Sequence, residues 1–388
     1  MSHSLINRSS DLKRLRDEGF DIEVRSGHLL VKNIPYVNTN KEIKFGTLVS
    51  ELSLSGDITV VPGTHIAYFI GEQPCHRDGS EIIQLKHNIQ DETRGANLVV
   101  NRSFSNKPSE GYKDYFEKMS TYITIISSPA CSIDPKVTAK TFPVIEPLED
   151  ESIFKFIDTA SSRAGINIVA AKLELGKIGI VGLGGTGSYV LDLVAKTPVK
   201  EIHLFDGDIF SQHNAFRSPG TPSIDELRDK PLKVKYFGEL YSKMHRGIIS
   251  HNYYITEVNI NELKEMDFIF LCIDTNKSKK FIIEQLDEWE KSYIDVGMGI
   301  QLVNNSLLGI LRVTTNTKEK RCNNRIPLSE AGDDEYSRNI QIADLNALNA
   351  AMAVIKWKKL CGFYLDFEKE HNSTYTIDGN MLLSEDKQ

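Results

Sequence analysis

The chain has 388 residues, a formal net charge of −7, and 40% hydrophobic against 26% charged residues. That is the composition of a globular protein long enough for two cores, and its acidic balance argues against nucleic-acid binding, which needs a basic patch. No run approaches the roughly 18 apolar residues of a membrane span, so no membrane partner is expected.

In chain order, Met1-Ser2-His3-Ser4 is polar and lacks the basic-then-apolar pattern of a secretory signal. Residues 1–155 read as short apolar stretches divided by turns. Phe20-Asp21-Ile22-Glu23-Val24 alternates, Ile58–Val61 stops at Pro62-Gly63, and Ile66–Ile70 stops at Gly71. Tyr112–Ile126 is expected as a helix, with Tyr112, Tyr115, Phe116 and Met119 near one face. This half is expected to be the smaller, α+β or β-rich domain, with the polar stretch Glu146–Glu151 as a linker.

From Lys177 the texture changes. Ile178–Val181, Glu201–Phe205, Phe268–Ile273 and Ser292–Val296 read as strands, with a helix around Pro231–Met244 and a closing helix at Leu345–Leu360. Strands alternating with helices predict an α/β domain over residues 156–388, Rossmann-like, with a doubly wound and mostly parallel sheet. Between its first strand and helix stands Gly182-Leu183-Gly184-Gly185-Thr186-Gly187-Ser188. In G-x-G-x-x-G, the first glycine allows a tight turn and the second lets backbone approach phosphates. The third lets the helix pack on the sheet with its N-terminal amides facing an anion. Asp206 follows at the end of the next strand, where a ribose-binding carboxylate is expected.

Gly182, Gly184, Gly185, Gly187 and Asp206 alone do not separate NAD from ATP. Asn214, Arg217, Lys233 and the segment Cys272-Ile273-Asp274-Thr275-Asn276 do. Hydride transfer has no use for a lysine and an arginine converging on phosphates. Adenylyl transfer does, because charge develops on the α-phosphate and the leaving pyrophosphate. It also needs a carboxylate for Mg²⁺, and Asp274 at a strand's carboxyl end is well placed for that.

In this order the residues resemble the ThiF/MoeB/HesA family, which includes the ubiquitin-activating enzymes; the resemblance covers roughly residues 160–365. It implies ATP-dependent adenylation of the C-terminal glycine of a ubiquitin-like protein, usually by a dimer or pseudo-dimer. It assigns Asp206 to the ribose, Asn214, Arg217 and Lys233 to the triphosphate, and Asp274 to Mg²⁺. Arg163 lies where the family places an arginine that reaches ATP in the other protomer. The family's usual Arg-Gln pair is absent, since Ser218 follows Arg217. The N-terminal half is then expected to recruit the modifier, a conjugating partner or a second protomer. Such enzymes occur in bacterial ubiquitin-like pathways, some linked to phage defence.

Each assignment has a plainer rival. Arg217 and Lys233 could be solvated surface residues, Asp274 a helix N-cap, and Asp208 a turn residue. Five scattered cysteines, Cys75, Cys131, Cys272, Cys322 and Cys361, form no Cys-x-x-Cys pair, so a reducing cytoplasm and no zinc are expected. Cys322 lies in Lys318–Arg325, where the family has its crossover loop, and flanking Lys320, Arg321 and Arg325 favour a thiolate that captures the acyl group. Cys272 and Cys361 read as structural. Cys75-His76 with His65 fits no zinc spacing. A sulfur-carrier adenylyltransferase or a tRNA-modifying dehydratase is the rival within the family. An NAD-dependent oxidoreductase or a non-catalytic scaffold is the rival outside it.

Overall fold

The structure, a computed structural model, describes residues 2–95, 98–147, 152–328 and 340–386. Most of the expected linker, residues 148–151, lies outside them. The chain divides into two compact units, Met1–Glu146 with Asp158–Gly165, and Pro147–Ile157 with Ile166–Gln388.

The first unit opens with helices α1 (Ser2–Arg8) and α2 (Ser10–Asp17). Strands β1 (Ile22–Arg25), β2 (His28–Val37) and β3 (Ile43–Glu51) follow, then the short β4 (Leu54–Ser55) and β5 (Ile58–Thr59). Next come β6 (Ile66–Ile70), β7 (Lys86–Gly95), β8 (Leu98–Ser105), helix α3 (Tyr115–Ile133) and the short α4 (Thr159–Arg163). Six strands form an antiparallel sheet in the order β1-β2-β3-β6-β8-β7. Strand alternation sends Leu29, Val31, Leu48 and Phe69 to one buried face and Leu30, Val49 and Tyr68 to a second, smaller one.

Helix α3 covers the larger face with Tyr115, Met119, Tyr122 and Ile126, at helical spacing. It starts later than the periodicity predicts because Asp114 caps it, its side chain accepting the Glu117 N–H at 2.7 Å. Lys118 from this helix is fully buried. Its ammonium donates to Ser50 Oγ at 2.8 Å and to the carbonyls of Thr64 and Ile66 at 2.9 and 2.8 Å.

The second unit contains α5 (Asn167–Ala170), β9 (Lys177–Val181), α6 (Gly185–Val194), β10 (Glu201–Phe205), α7 (Gln212–Ala215), α8 (Ile224–Arg228) and α9 (Lys233–Tyr241). Then come β11 (Ile248–His251), β12 (Phe268–Leu271), α10 (Asn276–Glu288), β13 (Tyr293–Val303), β14 (Ser306–Asn316), α11 (Ala343–Leu360), β15 (Asn372–Thr376) and β16 (Met381–Glu385). The sheet runs β11-β10-β9-β12-β13-β14-β15-β16. Its first five strands are parallel and the last three antiparallel. This is the Rossmann-like doubly wound arrangement expected, with an antiparallel extension. The chain reverses direction across the sheet between β9 and β12, and in such sheets ligands bind beyond the strand ends at that reversal.

Among the described residues no helix is long and apolar enough to cross a membrane.

Candidate functional site

At the reversal point three of the four glycines of the turn have a geometric reason to be glycine. Gly182 has φ +91°, and a Cβ there would lie 2.7 Å from the Cys272 carbonyl oxygen. Left-handed backbone and a close neighbour both demand glycine. A Cβ on Gly187 would lie 1.9 Å from the Gly182 carbonyl oxygen, so α6 packs against its own turn only without a side chain. At Gly185 a Cβ would lie 2.1 Å from Asn346 Nδ2. Gly184 differs, because a Cβ there meets nothing within 4 Å. It is the N-cap of α6 and no side chain caps that helix. The first-turn amides of α6 are therefore oriented for an outside acceptor, as an anion site requires.

Asp206 follows β10, is 5% exposed, and accepts two backbone N–H groups, Leu183 at 2.7 Å and Asp208 at 2.8 Å. It thereby ties the glycine turn to the turn after β10. Lys233, the first residue of α9 and 6% exposed, lies 2.6 Å from Asp208 and 3.5 Å from Asp206. Asp208 is thus more than a turn residue, being the nearest carboxylate to Lys233. Burial opposes its ionisation, but hydrogen bonds from Lys233 and the Tyr254 hydroxyl outweigh that and hold its carboxyl below the usual range. The Tyr254 ring crowds Gly207, where a Cβ would come within 2.8 Å of it. Lys233 is therefore not a solvated surface residue.

Asn214 is buried, and its Oδ1 accepts the Ser211 N–H at 2.9 Å in the capping box that starts α7. Arg217, half-buried, donates its N–H to the Asn214 carbonyl at 3.0 Å. Its Nε is buried with no hydrogen-bond partner among the described residues, which fits an anion supplied from outside.

Beyond β12, Asp274 is exposed in the Cys272–Thr275 loop. The N-cap position of α10 is Thr275, which makes no side-chain cap bond. Beneath this loop Asp295 is fully buried between Lys279, at 2.9 Å, and Arg312, at 2.7 Å. That ion triad fixes the first turn of α10 to β13 and β14. Among the described residues no cluster of three or more His, Cys, Asp or Glu could hold a metal. A single carboxylate such as Asp274 suits Mg²⁺, which takes most of its ligands from phosphate and water.

Two expected residues have surroundings of their own. Arg163 belongs to the first unit, where its guanidinium lies 5.6 Å from the centre of the Phe142 ring. Cys322 follows β14 but is 2% exposed, and its N–H donates to Asn316 Oδ1 at 2.6 Å. The expected electropositive thiolate is not what the structure holds. Burial pushes the thiol up, Asp386 adds to that, and Lys320 and Arg325 do not offset it. The flanking cations have other partners. Arg325 pairs with Asp386 at 2.8 Å and Glu385 at 3.5 Å, and Arg321 with Asp287 at 3.3 Å. Burial likewise raises the thiols of Cys272, Cys361 and Cys75.

Asn346, Lys279, Asp295 and Arg312 were not singled out from the sequence. The available signals were two asparagines, Asn346 and Asn349, three apart in an otherwise Ala- and Leu-rich helix, and an aspartate inside the apolar run Tyr293–Val296.

Residues 158–375 match the model of the ThiF family, and residues 10–159 match a model described as a domain of unknown function, DUF6791. No curated protein matches the chain. Among solved structures, PaaA is 15% identical, covers 57% of this chain and 67% of its own, and gives a TM-score of 0.45. Escherichia coli MccB crystallised with ATP is 19% identical, covering 58% of this chain and 68% of its own, at a TM-score of 0.46.

Proposed function

From the premise that this chain belongs to the ThiF family, we propose that it adenylates the C-terminal glycine carboxylate of a ubiquitin-like protein with ATP. A carboxylate oxygen attacks the α-phosphorus, the bond from that phosphorus to the bridging oxygen breaks, and pyrophosphate leaves with the electron pair. The products are acyl-adenylate and pyrophosphate. The observation that carries the reading is the uncapped first turn of α6 at the sheet's reversal point, with the orphan Nε of Arg217 among the described residues of the same unit.

In this reading Gly182, Gly184, Gly185 and Gly187 shape the cradle for the phosphates. Asp206, locked by two backbone amides, keeps lone pairs for the ribose hydroxyls. Asn214 positions the Arg217 segment. Arg217 and Lys233 neutralise charge developing on the triphosphate, and Lys233, with three donors, can hold Asp208 and a phosphate oxygen together. Asp274 holds Mg²⁺, which when bound neutralises phosphate charge. Arg163 acts on a second protomer's nucleotide in a homodimer, and residues 1–155 recruit the modifier or a conjugating partner in the cytoplasm. Transfer to Cys322, in which the thiol attacks the acyl carbon and AMP leaves, needs that thiol uncovered first.

ATP–pyrophosphate exchange dependent on a ubiquitin-fold protein tests the adenylation; no exchange with any such protein rejects it. Cys322 is tested by maleimide labelling of the native chain. Labelling at least about tenfold slower than in the urea-unfolded chain is expected for a buried, poorly ionised thiol. A thiol-sensitive adduct that persists in Cys322→Ala removes the thioester role.

A further inference from the structure

We propose that Asn346 is a positioning residue that holds the glycine turn in register with the Arg217 segment, and that its side chain is what forbids any side chain at position 185. The inference rests on the reading that the turn receives the phosphates of ATP.

Asn346 lies on α11, 160 residues along the chain from Thr186, and is 1% exposed. The Thr186 hydroxyl donates to its Oδ1 at 2.9 Å, and its Nδ2 donates to the Arg217 carbonyl at 3.4 Å. The same amide group stands where a Cβ on Gly185 would be, with Nδ2, Cγ and Oδ1 at 2.1, 2.4 and 2.7 Å. One side chain thus touches the first turn of α6 and the backbone of the arginine whose Nε is an orphan.

The residue type follows from the job. A planar amide presents an acceptor on one side and donors on the other, so it can bind a hydroxyl and a carbonyl at once without bringing charge to an anion site. Aspartate keeps the acceptor but loses the donor and sets a negative charge beside the helix N-terminus. An aliphatic side chain keeps neither bond. The mount is rigid: on the same helix Asn349 donates to the Gly297 carbonyl at 3.0 Å, and Ala350, Ala353 and Trp357 are fully buried in the unit's core. The turn, the arginine segment and β13 are therefore all referenced to α11.

The test is calorimetric titration of the full chain with ATP and, separately, adenosine. Asn346→Ala should weaken ATP about tenfold, the scale of one or two lost hydrogen bonds, and Asn346→Asp about a hundredfold. Adenosine, which lacks phosphates, should bind all three proteins within about twofold. Gly185→Ala should weaken ATP sharply, and Gly185→Ala with Asn346→Ala should bind ATP more tightly than Gly185→Ala alone, because the obstructing amide is gone.

Equal losses for ATP and adenosine in Asn346→Asp would mark a merely structural residue and overturn the inference. So would a double variant no better than Gly185→Ala. Wild type that binds no ATP removes the functional reading and this inference with it. Wild type that binds ATP while Asn346→Asp binds it equally well removes the inference alone. Should Asn346→Asp fail to fold, the Gly185/Asn346 pair decides by itself.

Discussion

Both units bury lysines, and two of these, Lys118 and Lys233, have opposite company. In the first unit Lys118 is surrounded by neutral oxygens, the hydroxyl of Ser50 and the carbonyls of Thr64 and Ile66. Burial pushes its ammonium down to about 8, and the nearby charge of Glu51 only partly restores it. In the second unit Lys233 stands between two carboxylates, Asp206 and Asp208. Neutral acceptors satisfy the directions of an ammonium's three hydrogen bonds but not its charge. Such a lysine is a pin, here fastening α3 to β3 and β6. A lysine between carboxylates on the turns that follow a parallel sheet is part of a charge cluster, which in the proposed function an incoming phosphate re-pairs. Burial alone does not tell such lysines apart: Lys279 is also buried against a carboxylate, Asp295, and serves as a tie, whereas Lys233 differs in standing on turns beyond the parallel strands.

The comparison breaks most visibly if the two lysines are replaced alike. Lys233→Met should lower ATP–pyrophosphate exchange about a hundred- to a thousandfold, the range for losing one charge-stabilising donor. Lys118→Met should leave exchange within about threefold in whatever protein remains folded. Exchange that survives Lys233→Met would place that lysine with Lys118 as a pin.

Lys118 also ties the stability of the first unit to pH. Lys118 has its folded pKa near 8, below the value of 10.5 for an unhindered lysine. Between those values the unfolded chain holds a proton that the folded chain has released, so Lys118 adds stability as pH rises through that window and withholds it below. Amide exchange of α3 in wild type and Lys118→Met reads this out. The wild-type-minus-variant stability should grow across the window by at most about 3.4 kcal/mol, the full scale of a shift of this size. A flat difference would mean that the ammonium keeps its proton. Subtracting the variant matters because burial raises Tyr112, Tyr115 and Tyr122, whose contributions fall as pH climbs past 10.

The smallest effect sharpens the Lys233 side. Tyr254→Phe removes one of the two side-chain hydrogen bonds that keep Asp208 ionised. It should raise the KM for ATP by about two- to fivefold with kcat unchanged, since a single neutral donor is worth about 1 kcal/mol. A change larger than that of Lys233→Met would show that the tyrosine, not the lysine, organises the cluster.

What could be read in advance was what lies close together in the chain. Strand β10 falls at Glu201–Phe205 as the pattern indicates, and the glycine turn is a local motif whose geometry its own residues dictate. The parallel order followed from strand–helix alternation. What escaped was set by distant partners. Asn346 acts across 160 residues, and the Asp295 triad joins α10, β13 and β14. The basic flank of Cys322 looked electropositive because its neighbours in sequence are cations. Asp386 and Asp287, which pair with Arg325 and Arg321, arrive from elsewhere in the chain. Local charge is legible; its neutralisation is not.

Lys118 has a chemical consequence of its own. At neutral pH an amine that titrates near 8 carries far more of its reactive, unprotonated form than an ordinary lysine does. An enzyme that makes acyl-adenylates works beside an electrophile that acylates stray amines, and its own surface lysines are the nearest targets. Lys118 itself is sealed from solvent on the buried face of α3. In chain recovered after prolonged turnover, mass spectrometry should find acyl marks on exposed lysines such as Lys235 and none on Lys118.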